Sequence, residues 1–429
     1  MARLAGRRNY VLLSAYVFCF FFAQAAAISL LSIWLTQTLG LNGVQVGTVF
    51  SANFVAAMIS QPIYGYVSDR MGFRRSVPVA IAALVALAGL FFTFVYGPLL
   101  KMHVLVGAVV GGAYIGITFV AGSYAIESYV DRISRRDGFE YSRARLWGSL
   151  GFAAAALFSG RLYNLDPRIN FFMASAAGLL LLPLILSARV EGYQPSEASR
   201  SLAPADSLSV LKLRKFWGFM VLILGVTNLY LVYDQQFPFY FSSLFPTRAT
   251  GNAMFGYLNS AQIFVEAGMM FVAPLVVRRT GATRGLLLAT AIMIVRIAAS
   301  GLATGPVTIS MCKMLHSLEL PILLVSIFRY IAYHFEARVS STVYLVGVSF
   351  GHSLGLAVLS PLVGALYDRI GFQPTYFVIA GFALVFWVVS LFALSPTPPE
   401  LPRRSASPPG GPMPQTSPAP RPFEKTQER

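Results

Sequence analysis

NYVLLSAYVFCFFFAQAAAISLLSIWLTQTLGLNGVQVGTVFSANFVAAMISQPIYGYVS, residues 9–68, runs for sixty positions without one Asp, Glu, Lys or Arg. No water-facing surface can be assembled from such a stretch, because a soluble domain draws about a quarter of its residues from the charged types. The rest of the chain follows suit. Of 429 residues 56% are hydrophobic and 12% charged, with a mean hydropathy of +0.65. The chain reads as an all-α integral membrane protein. A hydrocarbon crossing takes about 20 apolar residues. Counting outward from the quoted stretch gives twelve such runs, at 10–36, 44–67, 77–99, 103–127, 146–163, 169–188, 217–240, 253–277, 285–303, 307–331, 341–366 and 373–395. The fifth is the weakest, because Arg161 interrupts its end. The first begins like a secretory leader, with Arg3, Arg7, Arg8 and then Ala23-Gln24-Ala25. Its apolar run continues to Leu35, which is too long for a leader, so it is expected to stay as a first helix.

The basic residues orient these spans. With the N-terminus inside, 25 of the 33 Lys and Arg fall in cytoplasmic segments, five on the opposite side and three within spans. Positive loops resist translocation, so both termini are expected in the cytoplasm. The net charge of +16 therefore needs no nucleic acid to explain it. Cys19 and Cys312 both lie in apolar runs and imply no disulfide. There is no GxxxxGK[ST], HExxH or GxSxG pattern, which argues against ATP-driven transport and hydrolase chemistry. Nothing calls for a cofactor or a metal.

The chain also repeats itself. Residues 149–164 align with 353–368 at a constant offset of 204, and seven of the sixteen positions are identical. Chance could produce this between two Gly- and Ala-rich helices. The offset, however, maps span five onto span eleven, as a duplication of six helices requires. The expected organisation is an N-terminal six-helix half over 1–188, a cytoplasmic loop over 189–216 and a C-terminal half over 217–395. A proline-rich tail over 396–429 should be disordered. Two six-helix halves around a midplane site is the major facilitator architecture.

Ionisable groups in a bilayer are costly unless paired or hydrated, so each marks a candidate site. Most lie in the second half: Asp234, Glu266, Arg296, Lys313, His316 and Glu319. On one continuous helix the last three would fall within about 120° of each other and face the interior. Lys313 with Asp234 suits a structural ion pair as well as it suits chemistry. Glu319, between Leu318 and Leu320, should keep its proton unless a cation approaches, and Arg296 is the natural cation. A proton moving inward yields about 2.3 kcal/mol per 100 mV, enough to drive uphill uptake. In the first half Glu127 and Arg145 offer acceptors and a donor fork suited to neighbouring sugar hydroxyls. Phe152 could stack on a pyranose face or simply pack between helices.

Several longer motifs point to a family. Gly65-Tyr66-Val67-Ser68-Asp69-Arg70-Met71-Gly72-Phe73-Arg74-Arg75 resembles the major facilitator loop signature. Ile133-Ser134-Arg135-Arg136 with Phe139 to Arg145, Asp234-Gln235-Gln236-Phe237, Phe255-Gly256-Tyr257, and Lys313 through Pro321 resemble the lactose permease group of oligosaccharide/proton symporters. The resemblance runs from the first span to the twelfth. It implies that Arg145 and Glu127 are the main sugar ligands and that Phe152 stands in the place of a stacking tryptophan. It makes His316 the link between sugar and proton, Glu319 the proton carrier and Arg296 its deprotonating partner. Tyr230 would hydrogen-bond nearby, and Asp234–Lys313 would be an interhelical charge pair. A second charge pair of that group is replaced here by Leu231 and His352. The sugar carboxylate of span eight is Ile263, with Glu266 one turn on. These departures look more like the sucrose permease branch.

The resulting expectation is proton-coupled uptake of a disaccharide or small oligosaccharide, sucrose ahead of lactose and other galactosides, by a monomer in a bacterial inner membrane. It is expected not to be an enzyme. A proton-coupled drug or metabolite exporter on the same scaffold is the alternative. A sugar sensor would need an output domain, which the short tail does not offer.

Overall fold

The computed structural model describes residues 2–71, 74–188, 210–336 and 343–398. Most of the expected middle loop, Gly72 and Phe73 of the loop signature, and the tail from residue 399 lie outside these residues. The described chain is helical throughout, in twelve successive segments. They are α1 (Gly6–Thr38), α2 (Gly43–Ser68), α3 (Ser76–Ala86 and Ala88–Met102), α4 (Val104–Asp137), α5 (Tyr141–Leu165) and α6 (Pro167–Ser187), followed by α7 (Arg214–Ser243), α8 (Arg248–Thr280), α9 (Ala282–Leu302), α10 (Pro306–His334), α11 (Gly347–Ile370) and α12 (Phe372–Ala393).

Ten of these are long and apolar enough to cross a membrane on their own. The two exceptions are instructive. Helix α5 forms where the fifth span was expected, but Arg143, Arg145, Arg161 and its Gly and Ser positions dilute its apolar character. Helix α3 is bent by 42° between its two pieces. A π-helical turn at Phe91–Tyr96 follows the bend. Helix α7 starts at Arg214, three residues before the expected span, and Trp217 Nε1 donates to Leu211 O at 2.7 Å. Local chemistry sets the joints. Asp166 accepts from Arg168 N at 2.8 Å to cap α6, with Pro167 in the first turn. Gly281 and Gly371 adopt φ of 85° and 80° between α8 and α9 and between α11 and α12, a conformation that side chains disfavour.

Within the first six helices α1 packs against α5 and α6, and α2 against α4. Within the last six α9 packs against α10 and α12, and α8 against α10. The two sets meet along α2 with α11 and along α5 with α8. The repeat read in the sequence accounts for both seams. A Cβ on Gly160 of α5 would fall on the carbonyl of Asn252, in the first turns of α8. A Cβ on Gly364 of α11, its repeat partner, would fall on the carbonyl of Gly43, at the start of α2. Four residues on, Asn164 donates to Ala249 O at 2.6 Å and accepts from Asn252 Nδ2 at 3.1 Å. Its repeat partner Asp368 accepts from Gly43 N at 2.7 Å and Val44 N at 2.9 Å. A side-chain clasp closes the same end. Gln37 Nε2 donates to Ser242 Oγ at 3.2 Å and Asn252 Oδ1 at 3.3 Å, while Asn252 Nδ2 donates to Gln37 Oε1 at 3.1 Å.

Backbone contact at two glycines thus governs this seam. Gly160→Val is expected to push α5 and α8 apart at Asn252, the partner of Gln37. A cysteine at position 37, in a background lacking Cys19 and Cys312, should then react with maleimide about tenfold faster, in line with an overpacking cost of about 1–3 kcal/mol. Unchanged reactivity would show that the seam does not depend on the close approach.

Candidate functional site

Two polar clusters occupy the interior of the helical body. In the first, Glu127 stands near the end of α4 and Arg145 in the first turns of α5. Arg145 Nε donates to Glu127 Oε1 at 2.6 Å, and the two side chains are 34% and 27% exposed. Solvent therefore reaches the pair. The guanidinium lies over the ring of Phe21 of α1 at 4.2 Å, which fixes its plane and leaves an edge free. Phe152 lies seven residues beyond Arg145, on nearly the same face of α5, and its half-buried ring packs against the hydrophobic core.

The second cluster is gathered from α7, α9 and α10. Arg296 of α9 is 0% exposed. Its Nη1 and Nη2 donate to Oδ1 and Oδ2 of Asp234 on α7, both at 3.2 Å. Nη2 also lies 2.8 Å from Oε1 of Glu319, which is itself 0% exposed. Two tyrosine faces from α7 complete the enclosure, Tyr230 at 5.3 Å and Tyr233 at 4.8 Å from the guanidinium carbon. Lys313 Nζ donates to Asp234 Oδ1 at 2.8 Å, and His316 Nδ1 lies 3.0 Å from Glu319 Oε1. Asp234 thus serves two cations, where the sequence suggested one partner. Tyr230 meets Arg296 and His316 through its ring, at 5.4 Å from the imidazole, rather than through the hydrogen bond expected of it.

Lys313, His316 and Glu319 lie along α10 on either side of an irregular turn at Leu315. The α-helical turns of α10 run from Pro306 to Met314 and resume at His316. Pro321 lies within the second stretch and has no N–H to give Ser317 O, which weakens the ladder just past the break. The three side chains still converge on the same buried cluster. The replaced charge pair is also accounted for. His352 Nε2 lies 2.8 Å from Thr227 Oγ1, one turn before Leu231, so the imidazole has a neutral partner. Thr227 ends a π-helical turn, Ile223–Thr227, that re-aims α7 just ahead of Tyr230 and Asp234.

Glu266 of α8 is partly exposed, whereas Ile263, one turn earlier, carries no polar group. Gln262 Nε2 donates to Glu266 Oε2 at 2.9 Å, and Ser317 Oγ donates to Gln262 O at 2.9 Å. Arg145, His316 and Lys313 all lie within electrostatic range of Glu266, which brings both clusters to one carboxylate. Gln262 and Ser317 went unnoticed in the sequence. An amide and a hydroxyl in apolar helices carry no composition signal, although the i,i+4 spacing of Gln262 and Glu266 suits such a bond. Among the described residues no group of His, Cys, Asp and Glu is arranged to hold a metal, and both cysteines are free.

A family model described as LacY proton/sugar symporter matches residues 3–405. The raffinose permease of Escherichia coli is 39% identical over 378 residues, covering 86% of this chain and 89% of that protein. The sucrose permease of Escherichia coli is 35% identical over 374 residues, covering 87% and 90%. Among solved structures the nucleoside transporter NupG, crystallised as a point mutant, superposes with a TM-score of 0.77 at 14% identity. The match covers 90% of this chain and 100% of that one. At that identity the likeness shows the fold alone, which is that of a major facilitator transporter.

The buried cluster makes a sharp prediction about charge. Asp234→Asn strands Lys313 and leaves Arg296 with Glu319 alone, and should lower stability by about 3–5 kcal/mol, the usual cost of orphaning a buried charge. Lys313→Met leaves Asp234 with Arg296 and should cost clearly less. Thermal unfolding of the purified protein in detergent orders the two, and equal midpoints would contradict the assignment of Asp234 as the shared anion.

Proposed function

The chain belongs to the LacY proton/sugar symporter family, and on that footing we propose that it takes up sucrose, or an oligosaccharide built on the sucrose unit, together with protons. Its relatives are permeases, and the chain is a multi-pass membrane transporter rather than a catalyst. Transport proceeds by alternating access between the halves 1–188 and 217–395, in a bacterial inner membrane with both termini cytoplasmic. Arg145 and Glu127 engage vicinal hydroxyls, Phe152 offers a ring face, and Glu266 and His316 meet the sugar from the opposite half. Sucrose is favoured over lactose and other galactosides because the α8 carboxylate is Glu266, while position 263 carries isoleucine. The names of two relatives support this, since raffinose is sucrose with a further galactosyl unit.

One observation carries the proton assignment. Glu319 is enclosed completely, with Oε1 on Arg296 and His316 and with no hydrogen-bond partner for Oε2 among the described residues. A proton can be added at Oε2 without first breaking a bond. When it arrives, Arg296 loses its hold on Glu319 but keeps the two-pronged contact with Asp234, so neither protonation state strands a bare cation. Contact of Arg296 with the carboxylate is the discharged condition of the carrier. Its loss accompanies loading.

Glu319→Ala is expected to abolish sugar accumulation while sparing exchange down a gradient, as measured with radiolabelled sugar in cells. Accumulation retained by that variant would refute the proton role. Arg145→Lys should weaken sugar binding about tenfold or more, because an ammonium cannot reproduce the guanidinium fork. A direct binding measurement that gives near-normal affinity would remove Arg145 from the site. Uptake of sucrose, raffinose, melibiose, lactose and maltose, with and without a protonophore, ranks the substrates.

A further inference from the structure

Ion pairs and sugar ligands do not explain why α8 and α10 are joined where they are. Gln262 and Ser317 are almost completely buried, and each makes a bond that ordinary helix packing does not require. The Gln262 amide grips one oxygen of Glu266, leaving Oε1 to accept from a hydroxyl. The backbone carbonyl of the same Gln262 receives the hydroxyl of Ser317. Ser317 follows His316 directly and sits between the helix break and Pro321. Helix α10 is therefore pinned to α8 at the place where its own ladder is weakest.

We propose that Gln262 and Ser317 are positioning residues that link the Glu266 carboxylate to the His316–Glu319 turn, so that sugar held by Glu266 shifts the proton site. The inference rests on the transport reading above and adds the route by which its two parts communicate. The path is short: Glu266 to the Gln262 side chain, Gln262 O to Ser317 Oγ, and Ser317 to the neighbouring His316, whose ring meets Glu319. A pull on the carboxylate moves the α8 turn, and the Ser317 bond passes that movement to a segment free to follow it. The Ser317 hydroxyl is the hydrogen bond that ties α10 to this turn of α8 among the described residues, and without it a shift at Glu266 would reach Glu319 only through the field or through sugar held by His316.

The test uses the full-length protein reconstituted in vesicles, with sucrose and raffinose as probes. Affinity is measured by direct binding, and coupling as protons taken up per sugar in de-energised vesicles. Gln262→Leu should weaken sugar binding about tenfold, as expected when a carboxylate loses a charge-assisted bond. Ser317→Ala should leave affinity much closer to that of the unaltered chain yet lower the protons taken up per sugar by about twofold or more. Ser317→Thr, which keeps the hydroxyl, should restore the coupling. A purely structural role would lower stability without separating affinity from stoichiometry. Full stoichiometry in Ser317→Ala, or full affinity in Gln262→Leu, with binding intact in the unaltered chain, would overturn this inference alone. If the unaltered chain binds neither sugar, the transport reading falls and the link falls with it. Should Ser317→Ala fail to fold, the affinity of Gln262→Leu decides.

Discussion

A guanidinium sealed from solvent is the constraint from which the second half of this molecule is built. Arg296 is wholly enclosed, and removing such a group from water is affordable only with carboxylates in direct contact. Asp234 provides two oxygens and Glu319 one, which obliges α7, α9 and α10 to approach within a single layer of side chains. Lys313 can then join only because Asp234 is already there. The cluster is nevertheless unsaturated. Among the described residues Arg296 Nε and Glu319 Oε2 have no hydrogen-bond partner.

The first half has a different character. Its polar centre is one solvent-touched pair, Arg145 and Glu127, steadied by the ring of Phe21. Proton chemistry is thus proposed for the second half and sugar contacts for both, with Glu266 within electrostatic range of Arg145 as well as of His316 and Lys313. A carrier divided in this way must send a signal across the interior. The contacts through Gln262 and Ser317 provide a hydrogen-bonded route from that carboxylate to α10.

Much of this was legible in the sequence, for identifiable reasons. Long apolar runs report directly on the medium around them, so twelve helices could be counted before any were seen. Helix α5 was the weakest of the twelve for the same reason, since its arginines dilute the run while Gly148, Gly151, Ser159 and Gly160 are buried against other helices. The offset of 204 marked real equivalences, because Gly160 and Gly364 meet the same packing demand in the two seams. What stayed hidden depends on residues remote in sequence or on departures from regular helix. The grip of Arg296 on Asp234 spans 62 positions. The irregular turn of α10 at Leu315 falls between Lys313 and His316, where spacing alone would expect an even ladder. Gln262 and Ser317 are ordinary in composition and acquire meaning only through each other.

The two glycine seams and the Gln37 clasp lie at the same end, and the clasp shares Asn252 with the Gly160 seam, so neither of those two can be opened far while the other holds. Opening there is accordingly all-or-none. A barrier of that kind has few half-parted conformers through which ions could slip, and it keeps the electrochemical gradient from draining through idle molecules. Tightness against leakage is, on this view, a property of two small residues that leave no room for compromise.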